Sequence, residues 1–142
     1  NMEDALQLYN TFLVKIAIDT KTGVYTVSSS EIIFVEAQMR KVLVHTIAQT
    51  YESTQNMAYW IKQLDAKCFF QAHRSFIVNM EHITSFDHSV IYLFHNQFRA
   101  YLTRRKYTEF KEAYLLYLES VNIITINKWI VRVFIDLKKK RH

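Results

Sequence analysis

The chain has 142 residues, of which 50% are hydrophobic and 15% aromatic, and this composition excludes a disordered chain and predicts one domain with a modest core. Its net charge of +5 is unevenly distributed. Residues 1–30 and 31–98 each carry −1, whereas residues 99–142 carry eleven basic and four acidic groups, a net of +7. This one-sided charge indicates a polyanionic partner or an acidic membrane surface, unless residues 138–141 are only a solvated tail.

Residue types that the chain lacks exclude further classes of protein. Cys68 is the only cysteine, so no disulfide can form within the chain, and a reducing, cytoplasmic location is expected. No apolar run reaches the ~18 residues of a membrane span, so we predict neither a transmembrane helix nor a signal peptide. With one glycine and no proline, turns must use asparagine, aspartate, histidine and serine.

The first half of the chain is predicted to be mostly strands, after an N-terminal extension at residues 1–11. The predicted strands lie at 12–18, 24–28, 32–37, 42–47 and 51–52. Gly23 marks a hairpin turn that needs a positive φ. A polar stretch then supplies the N-cap of a helix at 57–64, in which apolar residues recur at helical spacing.

A polar triplet interrupts the apolar segment at 69–83. His73, Arg74 and Ser75 lie between two apolar runs, and a second polar break comes at Asn79. Because an unpaired charge is costly inside a buried strand, the segment is predicted to form strand, exposed corner and strand, with Arg74 at the corner.

The remainder of the chain is predicted to form hairpins and a helix. Strands are expected at 83–86, 90–94 and 98–103. Aromatic residues keep a helical period over 106–120. Residues 121–137 fit either a strand, because many are β-branched, or a helix with an apolar stripe. We treat residues 121–142 as an added apolar element with a basic tail.

The segment 69–83 resembles the signature of LytTR-type DNA-binding domains, the output modules of many bacterial response regulators of the two-component type. In that family a phenylalanine-rich strand leads into a His-Arg-Ser corner and an aromatic-Ile-Val-Asn strand, as it does here. The flanking segments also match, with an Ile-Ile-Phe-Val-Glu strand at 32–36 and Thr-Arg-Arg at 103–105. The resemblance covers residues 12–119.

This resemblance implies a mainly β fold, built from elongated antiparallel sheets of about ten short strands with one short internal helix and a C-terminal helix. It places the LytTR-like domain at residues 12–120. The turn before Phe98 lacks the glycine that is usual in the family. No receiver domain is recognised on the chain, so it is either excised from a larger protein or a stand-alone member.

The resemblance further implies that loops from successive hairpins, not a recognition helix, contact DNA. The residues carried over as DNA-binding are Arg40, Lys41, His73, Arg74, Arg104, Arg105 and Lys106. Arg74 and Arg105 are expected to read bases, because a guanidinium can bond both acceptors of a guanine edge. The others are expected to touch phosphates. A structural ion pair for Arg74, a packed corner for His73 and ordinary solvated surface for the rest remain open.

Other chemistries find little support in the sequence. The histidines are scattered without ligand spacing, one glycine cannot build a phosphate loop, and no nucleophile has a recognisable base, so we expect no metal, no cofactor and no enzyme. The predicted function is sequence-specific binding of double-stranded promoter DNA through hairpin loops in the major groove. We further expect binding to paired direct repeats and a homodimer on DNA. If the chain is part of a larger protein, we expect a receiver domain or a histidine kinase pathway to control it. The alternative is a peripheral membrane or protein-partner module using the C-terminal apolar and basic segment.

Overall fold

The structure is a computed structural model that describes residues 2–3 and 14–140. The predictions for most of the N-terminal extension, for the start of the first strand and for the last two residues therefore lie outside the described residues. The strands of the described part are β1 Lys15–Thr20, β2 Gly23–Ser28, β3 Ile32–Gln38, β4 Lys41–Thr46, β5 Thr50–Ser53, β6 Phe69–His73, β7 Phe76–Asn79, β8 Ile83–Phe86, β9 Val90–Leu93 and β10 Phe98–Tyr101. Helix α1 spans Met57–Gln63 and helix α2 spans Tyr107–Lys140, and 3₁₀ turns lie at Ser29–Glu31, Met80–His82 and Arg104–Lys106.

The strands form three antiparallel sheets. The largest has the order β5-β4-β3-β7-β6, a second has the order β10-β9-β8, and β1 pairs with β2. Ten strands in antiparallel sheets, a short internal helix and a long C-terminal helix confirm the predicted fold class. The corner at Arg74 lies between β6 and β7, as the sequence predicts. The predicted N-cap of α1 is also present, because Asn56 Oδ1 accepts the Tyr59 N–H at 2.9 Å.

Two hydrophobic cores lie on opposite faces of the five-stranded sheet. Successive side chains of a strand point to opposite faces, so Val35 of β3 enters one core and Phe34 enters the other. The first core contains residues of β1 and α1, among them Trp60, which is fully buried and donates its Nε1–H to Ser53 Oγ at 3.1 Å. The second core contains β9 and β10. Helix α2 joins them, with Phe110 in the second core and Tyr117 in the first.

Several turns adopt the left-handed backbone region without glycine. Gly23 has φ 148°, as the hairpin prediction requires, but Met39 (φ 50°) and Arg40 (φ 69°) form the two-residue β3–β4 turn. The residues expected in turns do appear in the β9–β10 loop, where His95 and Asn96 have positive φ. The expectation is wrong for Met39 and Arg40, because two-residue hairpins need left-handed residues to match the strand twist whatever the side chains are.

Helix α2 continues beyond the predicted end at residue 120. Residues 121–140 are helical, so the strand alternative for this segment is wrong and no break in secondary structure marks its start. At the start of this segment Val121 and Ile124 pack against the first core, and this tertiary contact outweighs the strand propensity of the β-branched residues there. None of the described helices is long and apolar enough to cross a membrane.

Asn79 gives a test of the polar contacts that join β7 to β3. Its buried Nδ2 donates to the Ile32 carbonyl at 2.8 Å and its Oδ1 accepts the Glu81 N–H at 3.0 Å. Asn79→Ala should lower the free energy of unfolding by about 2–3 kcal/mol, because it leaves two backbone groups unsatisfied. Urea unfolding followed by tryptophan fluorescence measures the loss, with Asn122→Ala on the exposed side of α2 as control. Equal stability of the two variants would contradict this role.

Candidate nucleic-acid interface

Two turns that carry predicted basic residues lie at the same end of the five-stranded sheet. Strands β3 and β7 are antiparallel neighbours, so the end of β3 lies beside the start of β7, and the Ala37 N–H donates to the Ser75 carbonyl at 2.9 Å. The β3–β4 turn carries Arg40, and the β6–β7 corner carries Arg74. Both side chains are exposed. The sheet therefore brings together two loops that are 34 positions apart in the sequence.

The third predicted loop joins this end from the other side. The Thr103 N–H donates to the Ala72 carbonyl at 3.2 Å, and Lys106 Nζ donates to the Gln71 carbonyl at 2.9 Å. These bonds hold the 3₁₀ turn Arg104–Lys106 against the last residues of β6. Arg104 and Arg105 are exposed. All seven predicted residues therefore lie in a row of three loops at one end of the sheet, which we call the basic row.

His73 fixes the shape of the corner. Its Nδ1 accepts the Ser75 N–H at 3.1 Å, and its half-buried ring meets the Phe76 ring edge-on, with centroids 5.8 Å apart. Of the two interpretations left open by the sequence, the geometry corresponds to the packed corner histidine.

Two lysines of the basic row already have partners. Lys41 Nζ lies 3.9 Å from Glu52 Oε2, and both side chains are about half exposed, so this pair is weak and screened. The ammonium of half-buried Lys106 lies on the Gln71 carbonyl and 5.9 Å from the Phe70 ring centroid. Lys106 therefore fastens the third loop to β6, a role that its position beside two arginines does not reveal.

The carboxylate closest in the sheet to the corner does not neutralise the arginines. Glu36 of β3 lies opposite Phe76, but its Oε1 lies 3.5 Å from Nε2 of the buried His45 on β4. In the described part of the chain, neither Arg74 nor Arg40 forms an ion pair, so the alternative of a structural ion pair for Arg74 finds no partner there. The exposed arginines keep their positive charge at the surface.

Sequence reasoning missed two exposed groups at this end. Met39, beside Arg40 in the turn, is 88% exposed, and Tyr101 of β10 is 56% exposed with its ring 5.7 Å from the Phe76 ring. An aromatic residue in a strand is more often part of a core, so the sequence offers no signal for Tyr101 beyond the alternation of β10. Both enlarge the surface that a ligand of the basic row would meet.

Comparison with known proteins identifies the class of this domain. The model of the family described as the LytTr DNA-binding domain matches residues 22–115, which is more than half of the chain. The chain belongs to the LytTR family of DNA-binding domains, a family of regulators.

Relatives and a solved structure agree with this assignment. The chain is 26% identical over 106 residues to the sensory transduction protein LytR of Staphylococcus epidermidis, covering 72% of this chain and 41% of that protein. It is 33% identical over 70 residues to the sensory transduction protein LytT of Bacillus anthracis, covering 49% and 28%. The chain thus spans less than half the length of these relatives. A solved LytTr DNA-binding domain of a Bacillus cereus response regulator superposes with a TM-score of 0.58 at 26% identity, covering 71% of this chain and 95% of that one.

Glycine substitutions in the β3–β4 turn distinguish the effect of the turn's backbone shape on DNA binding from the effect of the Arg40 charge. Arg40→Gly and Met39→Gly should each raise the free energy of unfolding by up to ~1 kcal/mol, because glycine removes the left-handed penalty of ~1–2 kcal/mol at a smaller entropic cost. Only Arg40→Gly should weaken DNA binding, because only it removes a charge. Urea unfolding and fluorescence anisotropy with duplex DNA measure the two effects. Equal loss of affinity in both variants would show that the shape of the turn matters, not the Arg40 charge.

Proposed function

We propose that this domain is a sequence-specific DNA-binding transcriptional regulator that contacts duplex DNA through the basic row. The observation that carries the proposal is the convergence of three loops with exposed arginines on one end of a rigid antiparallel sheet. Double-stranded DNA is a polyanion whose grooves accept such loops. The membership of the chain in a DNA-binding family supports the same conclusion.

Spacing along the basic row suits a duplex. Adjacent strands lie about 4.8 Å apart, so the centres of the β3–β4 turn and the β6–β7 corner, two strands apart, are separated by about 10 Å. The third loop extends the row beyond β6. A row of this length is wider than one major groove, which is about 12 Å across. The central loop can therefore enter a groove while the outer loops reach its flanking phosphates or the next groove.

Arg74 is the residue we assign to base readout, with Arg105 as the second. The corner that holds Arg74 is braced by His73 and by the β3–β7 ladder, so its direction is set before DNA arrives. A guanidinium bonds the O6 and N7 acceptors of guanine in a bidentate manner, which a lysine cannot do. Arg105 is exposed on the third loop, and in this proposal it reaches the neighbouring groove.

The remaining basic residues are assigned to the DNA backbone. Arg40, Arg104 and Lys41 flank the reading loops and would bind phosphates, which fix register without reading sequence. The weak Lys41 pair with Glu52 is readily exchanged for a phosphate. His73 and Lys106 stand in the same row, and their contacts within the protein suggest that they position the loops first.

The longer relatives suggest how such a regulator would be controlled. A cytoplasmic regulator controlled by a receiver domain or a histidine kinase pathway would fit the longer sensory transduction relatives. Paired direct repeats in a promoter, occupied by two copies of the domain, would fit a single short row per domain.

Fluorescence anisotropy tests the proposed function directly. The chain is titrated against duplexes tiling the promoter region of its own gene and against scrambled duplexes, across a salt series. We expect one duplex to be preferred at every salt concentration while the affinity for all duplexes falls, with a slope of about −0.9 per phosphate contact in a plot of log K against log salt. Binding without preference that vanishes as salt rises would reduce the site to a basic surface and overturn sequence reading.

Replacement of Arg74 tests the central assignment. Arg74→Ala should weaken binding to the preferred duplex by about 1–3 kcal/mol and reduce discrimination between duplexes, because it removes the base contact. Lys67→Ala is the matched control, since it removes the same charge from the turn before β6, at the opposite end of that strand. Lys41→Ala should weaken all duplexes alike. Unchanged affinity and discrimination in Arg74→Ala would refute the role of this residue.

A further inference from the structure

The last four turns of α2 present a broad apolar surface that the described residues leave largely exposed. Met2 lies beside it, and its Sδ accepts a hydrogen bond from the polar Asn127 Nδ2 at 2.8 Å. We call residues 125–140 the α2 extension. Seven of its apolar side chains are each between 46% and 65% exposed. They are Ile126, Trp129, Ile130, Val131, Phe134, Ile135 and Leu137. Exposed apolar patches of this kind on a soluble domain mark an interaction surface.

The α2 extension points away from the basic row. Lys106, just before α2, lies on Gln71 near the end of β6, whereas buried Tyr117 shares a core with Cys68, which precedes the start of β6. Helix α2 therefore runs from the end of the domain that carries the basic row to the opposite end. Among the described residues, Ile124 is the last of α2 that packs on the core. At 1.5 Å per residue, Lys140 lies about 50 Å along the axis from Tyr107.

Charge on the α2 extension is strongly positive. It holds five basic residues and one acidic residue, a net of +4. Lys128, Arg132, Asp136 and Lys140 follow each other at intervals of four, so they share one side of the helix. Lys138 Nζ lies 4.9 Å from the centroid of the exposed Phe134 ring, at the end of the apolar surface. The segment thus combines one charged side, a wide apolar side and a basic end.

The width of the apolar side argues against pairing with a second copy. Residues 129–131 are adjacent in sequence, as are Phe134 and Ile135, so the apolar side spans more than half of the helix circumference. A two-helix seam buries only one narrow stripe. Two copies packed in parallel would also bring their basic ends together. A bilayer surface accepts a wide apolar side, with aromatic residues at the interface and lysines extended toward the headgroups.

We propose that the α2 extension lies in the surface of a bilayer with anionic headgroups, which leaves the basic row at the opposite end of the domain free for DNA. This surface is separate from the proposed DNA interface and does not depend on it. The apolar side would enter the headgroup boundary, and the basic groups would bind the anionic headgroups. Each lysine or arginine near such a surface strengthens attachment, and salt weakens it.

Vesicle flotation tests the proposal with the full chain. Phosphatidylcholine vesicles with and without phosphatidylglycerol are compared at low and high salt. We expect at least about tenfold stronger binding to the anionic vesicles at low salt, and much less at high salt. Lys138→Gln/Lys139→Gln/Lys140→Gln and, separately, Ile130→Ser/Phe134→Ser should each lower binding about tenfold or more.

Matched controls keep the result interpretable. Leu115→Ser/Leu116→Ser removes two exposed apolar side chains from α2 outside the extension and should leave vesicle binding unchanged. Anisotropy with duplex DNA should be the same for all of these variants, which also shows that they fold. Loss of DNA affinity on changing the lysines would assign them to the DNA surface and overturn the proposal.

Two further outcomes would also overturn it. Equal binding to neutral and anionic vesicles would remove the role of the charges. Absence of vesicle binding, together with a dimer in light scattering that Ile130→Ser/Phe134→Ser abolishes, would assign the apolar side to a second copy. If the parent chain binds vesicles but no duplex is preferred, the proposed function fails while this inference holds.

Discussion

The pairing of β3 with β7 is the constraint on which the basic row depends. These strands lie in the middle of the five-stranded sheet, and Phe34 and Val35 of β3 are buried on opposite faces in separate cores. A slip of one residue in register would exchange the two faces and put each side chain into the core that fits the other. The cores therefore fix the register, and the register fixes where Arg40 lies relative to Arg74.

Polar contacts within the domain give the basic row its shape and its sign of charge. The hydrogen bond that His73 accepts braces the corner, and Lys106 fastens the third loop to β6. The carboxylate of Glu36 faces His45 within the protein instead of the arginines. His73 and Lys106, which the sequence suggests as DNA ligands, thus hold the loops that carry the four exposed arginines. A preorganised row loses less entropy on binding.

Local sequence signals predicted the elements whose pattern is self-contained. The triplet at 73–75 places a charge where no buried strand tolerates one, and the period of Trp60 with its neighbours predicts α1. The sequence left residues 121–137 open between strand and helix, because the choice at the start of this segment depends on Val121 and Ile124 packing against residues far away in the sequence. The contact of Lys106 with the Gln71 carbonyl could not be predicted either. The sequence around a lysine beside two arginines is the same whether its ammonium binds a phosphate or a backbone carbonyl.

The two turns with left-handed backbone are held in that conformation in different ways. In the β9–β10 loop, the Phe94 N–H donates to the His82 carbonyl at 2.8 Å and the Phe94 and His82 rings are in contact, so tertiary packing holds the loop. Met39 and Arg40 make no comparable contact with any described residue outside their own hairpin. Their conformation is held by the β3–β4 ladder alone, and an exposed turn under such strain is typical of a site that meets a ligand. The strain at Arg40 is then the cost of a tight turn that carries a guanidinium where glycine would fold more easily.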